Sequence, residues 1–258
     1  VNEAAPLLEK SLRKNVKAAA NRTRKNGKAA NRTRKNGKPY STGALEKSII
    51  ATPAKKNQYG VFSVVKPNGV DERGMSNSYK LNILEHGTHS FKNNQEPRPV
   101  LQKSVNEVRQ ECEQKMQEAI NAQINAELWS AYLYLSMSMD AADKGFKGSA
   151  HWFVHQFKEE QGHAEKLAGY LQSQNAKVVL APIAAVQTEW PSVVAMFEDT
   201  LAHEQKVTAM IHDLCKLAAA EQDFATANML QWFVNEQVEE EDTARGILEG
   251  YKAIEGEK

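Results

Sequence analysis

The chain has 258 residues, with 33 Lys and Arg against 32 Asp and Glu and only two cysteines, Cys112 and Cys215. No apolar run approaches the roughly 18 residues of a membrane span and no secretory signal opens the sequence. Two distant cysteines in helical contexts argue against a disulfide framework, so a reducing cytoplasm is expected. The near-zero charge balance hides a division. Residues 1–110 carry 22 basic and 8 acidic side chains and the remainder 11 and 24, which points to two modules with different partners.

In chain order, the first feature is a tandem repeat, AANRTRKNGK at residues 19–28 and again at 29–38. Ten residues is too short a period for a solenoid unit, so a local duplication in a solvated or helical basic arm is the reading. Clustered Arg and Lys can neutralise phosphates, but no aromatic residues interleave for base stacking; a nucleic-acid contact is expected nowhere else in the chain. GVFSVVK (residues 60–66) alternates and is β-branched, and YKLNILEHG (79–87) is a second candidate extended or mixed segment, with a turn suggested by PNG and DERG between them. EPRPV (96–100) breaks structure before a helix begins near Leu101. Residues 1–114 thus read as a small α+β module.

Beyond Cys112 four long helices are predicted, at about 113–140, 148–173, 191–221 and 224–253. A long connection, QNAKVVLAPIAAVQTEW (174–190), joins the second to the third. This spacing fits an all-α four-helix bundle with one long crossover.

Polar residues interrupt each apolar seam of that bundle. In the second helix Phe153, Phe157, Glu160, Ala164, Leu167 and Leu171 share one face at steps of three and four. The third reads Phe197, Leu201, Glu204, Thr208, Ile211, and the fourth Leu230, Phe233, Gln237, Glu240, Ala244. In the first, Glu127 and Tyr134 lie beside the stripe Ile120, Ile124, Leu128, Ala131. Each intrusion falls near its helix midpoint, and midpoints share a layer in an up-and-down bundle, so Glu127, Glu160, Glu204 and Gln237 should converge. A lone Glu usually sits on a solvated face; several buried together are strongly unfavourable unless a cation compensates. His163, three residues after Glu160, adds an imidazole on the same face. Oxygen ligands plus one nitrogen suit iron or manganese better than structural zinc. Tyr134 reads either as a core tyrosine or as a hydrogen-bonding and redox neighbour. His151, His155, His203 and His212 read as surface or packing residues, and Cys215 as an apolar filler.

These residues carry a resemblance. QINAELWSAYLYLSMS (123–138), KEEQGHAEKL (158–167), LAHEQKV (201–207) and QWFVNEQVEEE (231–241) resemble, in order and spacing, the four helices of the non-haem bacterial ferritins, over residues 115–258. The resemblance implies a ferritin-like fold and a ferroxidase centre that oxidises ferrous iron with dioxygen. Glu127, Glu160 and His163 would hold the first iron, and Glu204 and Gln237 would complete the site. Glu160 would bridge to the second iron, Tyr134 would lie beside it, and a third iron site would draw on Glu159, Glu236 and Glu240. It also implies a hollow homo-oligomeric cage of 24 subunits, mineral storage and no haem. The acidic surplus would draw cations inward.

The chain departs from di-iron bundles that carry two Glu-x-x-His motifs: only Glu160–His163 is present, and Gln237 stands on the fourth helix. That is the ferritin variant, and it argues against a monooxygenase or reductase. The family continues into a short fifth helix, and the sequence stops at Lys258 before it, so the fifth helix is expected to be missing. Together with a first residue, Val1, that is not Met, this suggests a fragment. In the basic half, TGALEKSI (42–49), YKLNILEHGT (79–88) and PRPVLQKSVNEVRQE (97–111) resemble the tailed-phage head–tail joining family, which implies a non-catalytic virion protein. The two resemblances overlap at residues 115–121. The alternative reading is therefore a virion structural protein joined to a ferritin fragment, by recombination or by artefact.

Overall fold

The computed structural model describes residues 4–20, 43–57, 60–71, 74–86, 88–90, 93–95 and 99–256. The tandem repeat lies outside them except for its first two residues, as do residues 96–98 of the EPRPV break. The chain divides into two compact units, Val1–Glu113 and Gln114–Lys258. Among the described residues no helix is long and apolar enough to cross a membrane.

In the first unit the helices are α1 (Ala4–Ala20), α2 (Ala44–Ser48), α3 (Asn77–His86) and the beginning of α4 (Val100–Asp143). Among the described residues three antiparallel strand pairs accompany them: β1 (Ile49–Ala51) with β4 (Val65–Pro67), β2 (Lys55–Asn57) with β3 (Gly60–Phe62), and β5 (Thr88–Ser90) with β6 (Asn93–Gln95). The predicted strand GVFSVVK is therefore two strands with different partners. Thr52 breaks it: its carbonyl accepts from the Ser63 hydroxyl and its Oγ1 accepts from the Val64 amide at 2.9 Å. The described part of the second segment, YKLNILEH (79–86), is helical rather than extended. Leu81 and Leu84, three apart, share a helix face and join Leu12, Val16, Ile49 and Val100 in one buried cluster. The buried Asn15 amide is satisfied by Ser104 Oγ at 3.0 Å and Glu107 Oε2 at 3.1 Å, as a buried donor requires.

The second unit is the all-α bundle with one long crossover: α4 from Gln114 on, then α5 (Lys147–Ser173), α6 (Val193–Glu221) and α7 (Phe224–Gly256). Gly145 makes the α4–α5 turn at φ +84°, a conformation open to glycine. Ser192 caps α6, its Oγ accepting from the Ala195 amide at 3.1 Å. The crossover forms no regular element. It lies along α4, where Asn121 accepts from Val179 N at 2.6 Å and Asp140 accepts from Trp190 N at 3.0 Å. Side-chain amides and carboxylates of one helix thus satisfy backbone that no helix or sheet serves.

The bundle core is two apolar clusters, one at each end. Ile120, Ile124, Leu167, Ile211 and Phe233 belong to the first, and Met137, Phe153, Met196, Phe197 and Leu248 to the second. Each fully buried side chain of this kind contributes roughly 1.5–3 kcal/mol. Between the two clusters the sequence places Glu127, Glu160, Glu204 and Gln237, and all four are buried.

Candidate metal centre

The layer between the clusters is built from one polar intrusion per helix. Glu127 of α4 and Glu160 and His163 of α5 each offer a ligand atom, and these atoms all lie within 4.8 Å of one another. All three residues are buried. Among the described residues, Glu127 Oε2 and Glu160 Oε2 have no hydrogen-bond partner. Buried carboxylate oxygens are rarely left unserved in proteins, so this pair marks a place that a cation would complete. The other oxygen of Glu127, Oε1, accepts from Gln123 Nε2 at 2.9 Å, one helical turn earlier. His163 Nδ1 stands 3.4 Å from Glu160 Oε2.

Glu204 of α6 lies outside that triad but is tied to it electrostatically. Its carboxylate accepts from the Tyr134 hydroxyl and from Gln237 Nε2 at 3.2 Å. Gln237 also donates to the Glu204 carbonyl at 3.3 Å and to Thr208 Oγ1 at 3.4 Å, so its nitrogen end is engaged by α6. Tyr134 is fully buried, packed against Phe153 at 6.2 Å and edge-on to His203 at 6.0 Å between ring centroids.

A second group joins His163 to Glu236 and Glu240 of α7, again with ligand atoms within 4.8 Å. Gln156 Nε2 supports Glu240 Oε2 at 3.0 Å. Glu159 stands outside both groups: half-buried, it pairs with His155 Nδ1 at 2.9 Å. An open cleft of about 550 Å³ runs beside it, lined on α5 by His151, His155, Gln156 and Glu159 and on α7 by Glu236 and Glu240.

Without a cation the layer is electrostatically strained. Burial, then the Glu127 and Glu204 carboxyls, push Glu160 well above the usual carboxyl range. Burial raises Glu204 to about 7 against the opposing hydrogen bonds of Tyr134 and Gln237. Burial and the nearby Glu204 raise Glu240 to about 8. Burial together with the Glu204 and Glu160 charges pushes the Tyr134 phenol well above its ordinary value. His203 is held down to about 4, first by burial and then by Lys206. It is therefore a neutral ring, with its Nε2 2.7 Å from Ser130 Oγ. Carboxyls that hold protons for want of a counter-charge, two orphaned oxygens and one imidazole fit a divalent cation of the hard-to-borderline class.

The sequence reading missed the supporting amides. Gln123 was accessible to it, being four residues before Glu127 on the same face. Gln156 was not, because its partner lies on α7.

The bundle matches known proteins. The family model for the ferritin-like domain matches residues 117–254. A bacterial non-heme ferritin of Bacteroides fragilis is 45% identical over 139 residues, covering 54% of this chain and 87% of that protein. One from Staphylococcus saprophyticus is 38% identical, covering 48% and 74%. Among solved structures, the open pore ferritin of the hyperthermophilic archaeon Archaeoglobus fulgidus superposes with a TM-score of 0.54 at 46% identity, covering 54% of this chain and 86% of that one. These matches fall on the second unit and lend no support to the head–tail joining resemblance of residues 1–114.

Proposed function

The chain belongs to the ferritin family, and from that premise we propose that it oxidises ferrous iron with dioxygen and stores the ferric product. The observation that carries this reading is the convergence of Glu127, Glu160 and His163, with two buried carboxylate oxygens unserved by any donor. In this reading those three residues bind one ferrous ion, and Glu160 shares its second oxygen with another. Glu204 and Gln237 complete the pair of sites, and Tyr134 holds Glu204 in place through its hydroxyl. His163, Glu236 and Glu240, with Glu159 beside them, take a further ion.

Each ferrous ion gives one electron to dioxygen. Ion binding displaces the protons that Glu160, Glu204 and Glu240 hold in the metal-free protein. Anionic oxygen ligands favour the ferric product, while the neutral amide of Gln237 is a weak ligand that lets it leave for storage. Assembly into a homo-oligomeric cage and residence in the cytoplasm belong to the same reading, supported by the likeness to bacterial non-heme ferritins.

Aerobic addition of ferrous iron to the full chain, followed by ferric absorbance, tests it. Oxidation well above buffer, abolished in Glu160→Ala, is the expected result. A rate no faster than buffer, or a Glu160→Ala variant as fast as the parent, would overturn it.

A further inference from the structure

Four metal-ligating side chains stand at steps of four along α5: His151, His155, Glu159 and His163. Each step rises about 6 Å along the helix. Exposure falls along the series, from the exposed His151 and His155 through the half-buried Glu159 to the buried His163. The first three line the open cleft, and the fourth belongs to both buried ligand groups. Across the cleft, Glu236 and Glu240 line the same wall and share His163's group. The inner end of the series is the unpartnered Glu160 Oε2, 3.4 Å from His163 Nδ1.

A single exposed histidine is ordinarily a solvated side chain. Two histidines four apart on one helix face are a chelate for a first-row divalent ion. Here one of them is already held by a carboxylate: His155 Nδ1 lies 2.9 Å from Glu159 Oε2, so Nε2 is the nitrogen left to take a metal. A carboxylate behind the imidazole is the arrangement that fixes ring orientation and raises ligand basicity in metal sites. Neither ring is needed for packing, since both are exposed.

We propose that His151 and His155, with Glu159 behind them, form a divalent-metal station in the cleft from which ferrous ions pass to His163 and the buried centre. The proposal rests on the ferroxidase reading for its cargo, and the test separates the two. The probe for the station is cobalt(II), titrated anaerobically into the full chain and into a His151→Ala/His155→Ala variant. The variant should bind about one equivalent fewer, as loss of a helical histidine pair implies, whereas Glu160→Ala should keep that histidine-dependent equivalent.

In ferrous oxidation the double variant should need about tenfold more iron for half-maximal rate while its rate at saturating iron is unchanged. Unchanged cobalt stoichiometry, or an unchanged iron concentration at half-maximal rate, overturns the proposal. If the parent chain oxidises no iron, the ferroxidase reading falls, and the cobalt difference alone still decides the histidine site.

Discussion

The apolar ends of the bundle and the polar layer between them are made by the same four helices, yet they do opposite work. At one end Phe197 is buried and stacked on Phe153 at 5.0 Å and on Tyr251 at 5.5 Å between centroids. The phenyl and aliphatic groups there need only contact, and polar tips among them are paired, Tyr251 with Ser149 at 2.7 Å and Trp190 with Asp199 at 2.8 Å. In the middle, Glu127 and Glu160 are equally buried and each leaves an oxygen unserved. The ends stabilise the fold by burial; the middle costs stability wherever its carboxyls are ionised without a counter-charge. The centre is tolerated because a packed apolar cluster flanks it on each side.

That contrast can be broken from either side. The largest effect should come from the ends. Phe197→Ala removes a fully buried ring, and chemical denaturation should show a loss of about 3–5 kcal/mol. Ferrous oxidation by the fraction still folded should stay near the parent rate. Glu160→Ala should do the reverse. Removing a ligand should slow oxidation by about 100-fold or more, beyond what supporting groups usually contribute. Thermal melting of the metal-free variant should be no lower than that of the parent, because a buried, poorly compensated carboxyl has gone.

Third in size is the response to pH. Folded Glu204 and Glu240 have pKa values raised to about 7 and about 8, from 4.5 for an ordinary glutamate. The folded state therefore binds more protons than the unfolded state between those values, and stability must fall as pH rises through that window. Present in full below about pH 4.5, this contribution should be lost progressively as pH rises through about 7 and about 8. Melting of the metal-free chain at pH 5 and pH 8 checks the sign, and a divalent cation should raise the melting temperature more at pH 8. The smallest effect is expected from Tyr134→Phe, which deletes only the hydroxyl that holds Glu204. Oxidation should slow by about tenfold with metal stoichiometry unchanged, as equilibrium titration can show.

The sequence was most legible where one helical period governed both packing and chemistry. Glu160 among Phe153, Ala164 and Leu167, or Gln237 between Phe233 and Ala244, announces itself as a polar residue on an apolar face, and the burial of these residues follows from that face. The short first-unit segments obeyed no such single period. YKLNILEHG has only two buried leucines to fix it, and a step of three is invisible against an extended alternative until Leu12 and Ile49 are known to be the partners. GVFSVVK alternates correctly, but nothing in it signals that Thr52 would divide it between two strands. Within the centre, Glu159 and Glu160 are adjacent letters. The helix turns by about 100° between them, so the face that buries Glu160 leaves Glu159 at the cleft with His155; what the sequence did not show is that His163, rather than Glu159, joins Glu236 and Glu240.

A cation that completes the buried layer must bind there measurably. Anaerobic titration of the metal-free chain with ferrous ion, recording heat and released protons together, tests it most directly. Saturable binding should include about two ions per chain held by the buried layer, as expected of a di-iron bundle; these should release protons at pH 7 and be the ones lost in Glu160→Ala. No saturable binding, or a stoichiometry that Glu160→Ala leaves unchanged, would contradict the account.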